Sequence, residues 1–267
     1  MSKKIKFQVK SLGSEPDPHL DKEELVSWIQ SRTGRGGDLV RFWFQKPLIY
    51  QREAEVDIPC AGGIFYRERL LECFAGIGNG AIMGELGLNP GLVKTDIEEV
   101  VKKTEPLWVA MPSPGQLGIT DDYYGDPEEA SRNTYFWFRR LMREIRDSGA
   151  DGHVLICNHV VEEELEALSG KKILFYLLNP DQEGLEMLLE YQRTIAVPGP
   201  AIDLVVSLKE EYPVDNLVIV DPTNAGLEKA LNHWENNQVK VGGYCLNNCP
   251  EYWENIVESA FFQAPSE

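Results

Sequence analysis

No stretch of this 267-residue chain approaches the roughly 20 consecutive apolar residues that a helix needs to cross a bilayer, so nothing supports a membrane span. No apolar segment follows Met1-Ser2-Lys3-Lys4, so nothing marks a secretory signal, and the expected location is the cytoplasm. Basic residues are scarce: 26 Lys and Arg face 43 Asp and Glu, for a formal charge of −17. Such a chain repels phosphate backbones, which argues against nucleic acid as its partner. Cysteines number five, an odd count without a disulfide-scaffold pattern, and suit a reducing compartment. No GxGxxG follows the first apolar segment, and no pair of CxxC motifs marks a zinc site. No linker or low-complexity stretch divides the chain, so one domain over 1–267 is expected.

What is present is a repeating pattern, clearest between Pro106 and His159. Leu107 to Met111 is a short apolar run ending in Pro112-Ser113-Pro114-Gly115, a buried strand entering a turn. Asp126-Pro127-Glu128-Glu129 then opens a helix: an N-cap acceptor, proline at the first helical position, acids in the first turn. The helix stops at Ser148-Gly149, and a second apolar run, Val154 to Ile156, follows. Strand, loop, helix, strand is a parallel crossover unit.

The rest of the chain repeats it. Strands are expected at Ile5–Val9, Glu55–Pro59, Ile173–Leu178, Leu217–Val220 and Val239–Tyr244, with Thr194–Val197 as a further short one. Leu39 to Tyr50 reads as either strand or helix, and Gly76 to Gly91 as irregular. Seven or eight strands alternating with helices predict an α/β chain folded as a (β/α)₈ TIM barrel, with a doubly wound open sheet as the alternative. In a barrel the chemistry sits where strands end. The expected ends carry Glu15, His19, Cys60, Ser113, Cys157, His159, Asn179, Asp221 and Cys245.

Each of these residues has an ordinary reading beside the functional one. Cys157, with His159 two residues on, would act as a nucleophile pair, and Cys60, Cys157 and Cys245 together would hold a soft metal; buried cysteines more often only pack. Cys249 lies four residues after Cys245 but begins the last helix. Asp221 would orient a substrate amine or serve as a base, or would merely cap the next helix. His19 would be a base or a solvated loop residue. Arg67 would grip an anionic group, or belong with Arg69 to a solvated face. Asn179 would bind a ligand, or set the turn with Pro180. The run Tyr135-Phe136-Trp137-Phe138 encircles its helix and offers part of a homodimer surface or ordinary helix packing.

Several segments, in order, resemble the catalytic barrel of cobalamin-independent methionine synthase and its superfamily, which includes uroporphyrinogen decarboxylase. Leu12-Gly13-Ser14-Glu15-Pro16 is similar to that family's Val-Gly-Ser-x-Pro turn. QREAEVDIPCAGGIFYR (Gln51 to Arg67) resembles its Q-E-x-G-x-D-x-x-T-D-G-E-x-x-R region. MPSPGQLG followed by YYGDPEE, then SGADGHVLICN, VDNLVIVDPTNAG and KVGGYCLNN, resemble later strands. The resemblance implies the barrel, and methyl or one-carbon transfer to a small anionic or thiol substrate from a folate or corrinoid carrier on a partner. It also shows departures. Where the family has a His-x-Cys zinc pair, this chain has Leu174-Phe175-Tyr176. The family's homocysteine-holding Glu falls near Gly63, and its fourth-strand acid near Cys157. The segment with the last zinc Cys is expected to be missing, which would leave the final barrel unit incomplete or irregular. Zinc would enter only if relocated to the cysteines. Two other readings follow: a cofactor-free decarboxylase or lyase, and a non-catalytic barrel that binds a small molecule or serves a complex.

Overall fold

The computed structural model describes residues 4–18, 21–32 and 37–263. Eight parallel strands form its centre: β1 (Gln8–Ser14), β2 (Cys60–Gly62), β3 (Trp108–Pro112), β4 (Gly152–Cys157), β5 (Ile173–Leu177), β6 (Thr194–Pro198), β7 (Asn216–Val220) and β8 (Val239–Cys245). Strands β2-β3-β4-β5 form one continuous ladder and β6-β7-β8-β1 the other. The halves meet at β1 and β2, where Ser11 N–H donates to Ile58 O and Ile58 N–H to Val9 O, each at 2.9 Å. Across the other seam the Gln192 side chain, just ahead of β6, bonds both backbone groups of Phe175 in β5, at 2.9 and 3.0 Å. This amide supplies the pair of bonds that a neighbouring strand would otherwise make. The fold is the (β/α)₈ barrel, and Thr194–Val197, expected as a further short strand, lies in β6 and completes the eight.

Strand alternation sorts the core into two layers. Leu12, Ala110, Val154, Ile156, Leu174, Tyr176, Ala196, Val218 and Tyr244 fill the barrel interior. The intervening residues, among them Val9, Val109, Leu155, Phe175, Ile195, Ile219 and Val241, pack outward against the helices. Those helices are α1 (Lys22–Ser31), α2 (Leu39–Glu53), α3 (Arg67–Cys73), α4 (Gly91–Val101), α5 (Pro127–Asp147), α6 (Glu162–Leu168), α7 (Gln182–Tyr191), α8 (Ile202–Leu208), α9 (Asn224–Leu231) and α10 (Cys249–Ser259). Side chains of Asp21, Asp38, Asp126, Asp181 and Thr223 cap α1, α2, α5, α7 and α9 by accepting first-turn amides. Leu39 to Tyr50 is therefore helix, started by Asp38 and tolerating Pro47 inside it.

Gly76 to Gly91 is more regular than its glycines suggest. Phe74–Gly78 and Ala81–Leu88 form an antiparallel hairpin. Gly76, at φ 86°, brings its backbone so close to Glu85 that an added Cβ would lie 2.5 Å from the Glu85 carbonyl oxygen. At the chain's ends, Lys4–Lys6 pairs antiparallel with Phe261–Gln263.

Arg69, read as part of a solvated face, is only 2% exposed. Its Nε donates to Asp96 Oδ2 at 2.9 Å, and its outer nitrogens reach Asp38 and Glu72. Arg41 Nε meets the other Asp96 oxygen at 2.5 Å, and the Tyr66 hydroxyl donates to Asp96 as well. This buried network ties α2, α3 and α4 together.

Candidate functional site at the barrel mouth

The carboxyl ends of the strands bring Glu15, Asp221, Tyr176 and Tyr244 to one mouth. Glu15 follows β1 directly. Its Oε1 accepts the Ile64 amide at 2.6 Å and the Tyr244 hydroxyl, while Oε2 accepts the Phe65 amide at 3.2 Å. The carboxylate therefore caps the helical turn Ile64–Tyr66 from another strand. Two carboxylate oxygens offer about four acceptor positions, so these three bonds leave one open on Oε2. Gly63 makes this possible: a Cβ there would lie 2.7 Å from Glu15 Oε1 and 2.4 Å from Ser14 O.

Asp221 follows β7 in the left-handed region, φ 49°, a conformation that Asp tolerates better than most residues. It does not cap the next helix, because Thr223 Oγ1 does so, accepting Gly226 N–H at 3.2 Å. Instead Asp221 Oδ1 accepts the Tyr252 hydroxyl of α10 at 2.6 Å. Tyr176 lies between the two acids. Its ring centroid is 6.1 Å from that of Tyr244, edge to face, and burial with the Asp221 charge pushes its phenol pKa up. Burial and the adjacent carboxylates hold Tyr244 and Tyr252 well above the usual phenol range, so both remain donors. The tyrosines escaped the sequence reading. For Tyr176 and Tyr244 the available signal was their parity along β5 and β8.

The other expected site residues are dispersed. Cys60 is a correction: it begins β2, opposite Trp108 at the start of β3, and so lies at the far end of the interior from the mouth. Burial pushes its thiol up to about 12. Beside it Lys10, 4% exposed, places its amine 3.1 Å from the Trp108 ring centroid; burial pushes that amine down to about 7. Cys157 is a second correction. By strand parity it points outward into the helix layer, where its thiol donates to Tyr176 O at 3.5 Å. Burial, with Glu164 nearby, pushes Cys157 up to about 12, the wrong direction for a nucleophile.

Ser113 is buried behind β3 near Glu164, whose Oε1 accepts Gly115 N–H at 2.6 Å. Burial pushes the Glu164 carboxyl up, and this buried acid had no sequence signal beyond its place in an acidic first turn. His159 and Asn179 share a rim cleft with Asn158 and Asp181, beside rather than within the mouth. Arg67 donates from Nε to Leu117 O at 2.8 Å and pairs with Glu68 at 2.6 Å, so it braces the β3 loop. Cys245 faces outward against α10. His19 lies outside the described residues.

Cys60, Cys157 and Cys245 therefore do not converge, and no group of three or more potential metal ligands assembles among the described residues. Leu174 and Tyr176, not a His and a Cys, face inward at the end of β5. The residues present do not fit the zinc centre that the resemblance would imply.

The sequence matches no protein-family model and no curated protein. Its fold does have solved counterparts. A B12-independent methionine synthase from Shewanella sp. W3-18-1, in complex with selenomethionine, matches with a TM-score of 0.64 over 96% of both chains, at 14% identity. A methyltransferase from Methanosarcina mazei matches at 0.59 over 96% of this chain and 93% of its own, at 10% identity. A putative vitamin-B12 independent methionine synthase from Listeria monocytogenes matches at 0.56 over 96% and 97%, at 13% identity. The chain thus shares the barrel of methionine synthase-like and methyltransferase proteins across nearly its whole length, with little shared sequence.

Proposed function

We propose that the chain is a divergent methionine synthase-like barrel that transfers a methyl or one-carbon group to a small amine-bearing thiol, with Glu15 and Asp221 gripping the substrate's ammonium group. The observation that carries this is the pair of mouth carboxylates. Each is fixed by protein donors, and among the described residues neither is in an ion pair. Such a mouth favours a cation over the anionic substrate expected from sequence. The selenomethionine held by the Shewanella protein is a ligand of this class, an amino acid with a chalcogen-bearing side chain.

In this reading the barrel binds and orients the acceptor. Tyr244 and Tyr252, kept protonated, lock the two carboxylates, and Tyr176 forms the floor between them. The methyl group comes from a folate or corrinoid carried by a partner, and no step is routed through zinc. The test is to incubate the chain with homocysteine and either methyltetrahydrofolate or methylcobalamin, and to measure thioether by mass spectrometry. Thioether formed with one donor, and reduced at least tenfold in Asp221→Asn, supports the proposal. Binding without turnover in every mixture would leave the site a binding module and remove the transferase reading.

A further inference from the structure

A cleft of about 320 Å³ lies between α1, α2 and α4, outside the barrel. Leu48 of α2 and Val100 of α4 are buried and form its apolar side, and the Trp28 indole forms the α1 wall. The indole is held in place: its Nε1 donates to Gln45 Oε1 at 3.3 Å, and the Phe42 ring meets it edge to face with centroids 5.4 Å apart. The acids at this end are already engaged. Both Glu99 oxygens accept Arg32 Nη2 at 2.5 Å, Glu99 Oε2 also accepts Gln45 Nε2 at 2.8 Å, and Glu24 pairs with Lys46. The other end is cationic. Arg52 lies about two helical turns beyond Gln45, or about 10 Å along α2. It donates from Nε to Leu48 O at 3.3 Å and from Nη1 to Lys103 O at 3.4 Å, which fixes the guanidinium between α2 and the end of α4. Lys102 and Lys103 line the same end. Among the described residues no carboxylate pairs with Arg52, Lys102 or Lys103. Both helices end here, and their C-termini, at about half a negative charge each, offset about one of these cations. About two positive charges are left uncompensated beside an aromatic wall, in a chain whose formal charge is −17.

We infer that this cleft binds a nucleoside diphosphate, with its base against Trp28 and its phosphates on Arg52, Lys102 and Lys103. The separation of the aromatic wall from the cations suits a ligand with a ring at one end and charge at the other. An indole stacks on a planar base, and the outer edge of the Arg52 fork matches phosphate oxygens. The volume lies at the small end of the range for small-molecule sites, about 300–1,000 Å³, and so admits one mononucleotide. A polynucleotide is disfavoured by the repulsion of the whole chain. Arg52 and Lys103 precede β2 and β3, so the cationic end lies towards the amino ends of those strands, opposite the mouth. The inference does not depend on the substrate proposed above.

The test is calorimetric titration of ADP into the full chain at low ionic strength, without magnesium. The expected result is binding of one ADP per chain, with adenosine and inorganic diphosphate each bound about tenfold or more weakly. Arg52→Ala weakens ADP binding by about tenfold or more, and reversing both lysines (Lys102→Glu with Lys103→Glu) weakens it further. Arg132→Ala, which removes an exposed arginine of α5, leaves it unchanged. Trp28→Ala weakens ADP while inorganic diphosphate binds as before, which separates a lost stacking wall from a lost fold. The inference is overturned by absence of ADP binding, by binding that survives both Arg52→Ala and the lysine reversal, or by inorganic diphosphate bound as tightly as ADP.

Discussion

His153 offers a sharp test of how the barrel's core is built. It lies in β4 with no exposed surface, and its Nε2 donates to the Met142 carbonyl of α5 at 3.0 Å. Burial, with the Arg146 charge adding to it and the Met142 bond opposing it, pushes the imidazole down to about 3. In the unfolded chain it titrates near 6.5. Between these values the unfolded state binds the extra proton, so stability is full above pH 6.5 and falls as the solution is acidified towards pH 3. The slope is about 1.4 kcal/mol per pH unit, or about 2 kcal/mol between pH 6.5 and pH 5. The perturbation is His153→Gln, whose amide can still donate to Met142 without acquiring charge. Urea unfolding of both proteins at pH 7, 6 and 5 measures the effect, and the stability of wild type relative to the variant should drop by about 2 kcal/mol across that range. Because every other group is common to both, a difference independent of pH would refute the assignment. So would an imidazole that titrates near 6.5 in the folded protein.

Three further predictions follow from the same packing. Lys10→Met replaces a buried amine pushed down to about 7; at pH 7 it should raise stability by about 4 kcal/mol in urea unfolding, with the gain shrinking as pH rises towards 10.5, where the unfolded lysine also loses its charge. Gly62→Ala forces a Cβ to within 2.4 Å of the Ala110 backbone oxygen at φ 83°, and should cost at least about 2 kcal/mol, seen as a lowered melting temperature. Asp96→Asn leaves Arg41 and Arg69 buried without their shared counter-charge and should cost about 3–5 kcal/mol by the same unfolding measurement.

The barrel was legible because its physics is periodic. Short apolar runs recur between capped amphipathic helices, and the Asp126-Pro127 cap lies where the sequence places it. The site was less legible, because strand parity and strand position must be right to one residue. Reading β2 as Glu55–Pro59 put Cys60 at a strand's end, whereas the strand starts there and the residue falls to the opposite end of the barrel. Cys157 was placed on the correct strand, but parity turns it to the helices. Glu15 and Asp221 lie just past the carboxyl ends of β1 and β7. Their anchors, the Ile64 and Phe65 amides and the Tyr244 and Tyr252 hydroxyls, come from 31 to 229 residues away, a relation that no local pattern encodes. The hairpin after α3 was hidden by its glycines, which weaken the alternation while permitting the tight backbone approach that the hairpin uses.

The account turns on the claim that two mouth carboxylates bind an ammonium group, and calorimetric titration of L-methionine into the wild-type chain, Glu15→Gln and Asp221→Asn tests it most directly. A charge-assisted hydrogen bond contributes about 1.5–3 kcal/mol, so each variant should bind about 10- to 150-fold more weakly, and the analogue lacking the amino group should bind no better than the variants do. Equal binding of methionine and the desamino analogue, or affinities unchanged by both substitutions, would contradict the account.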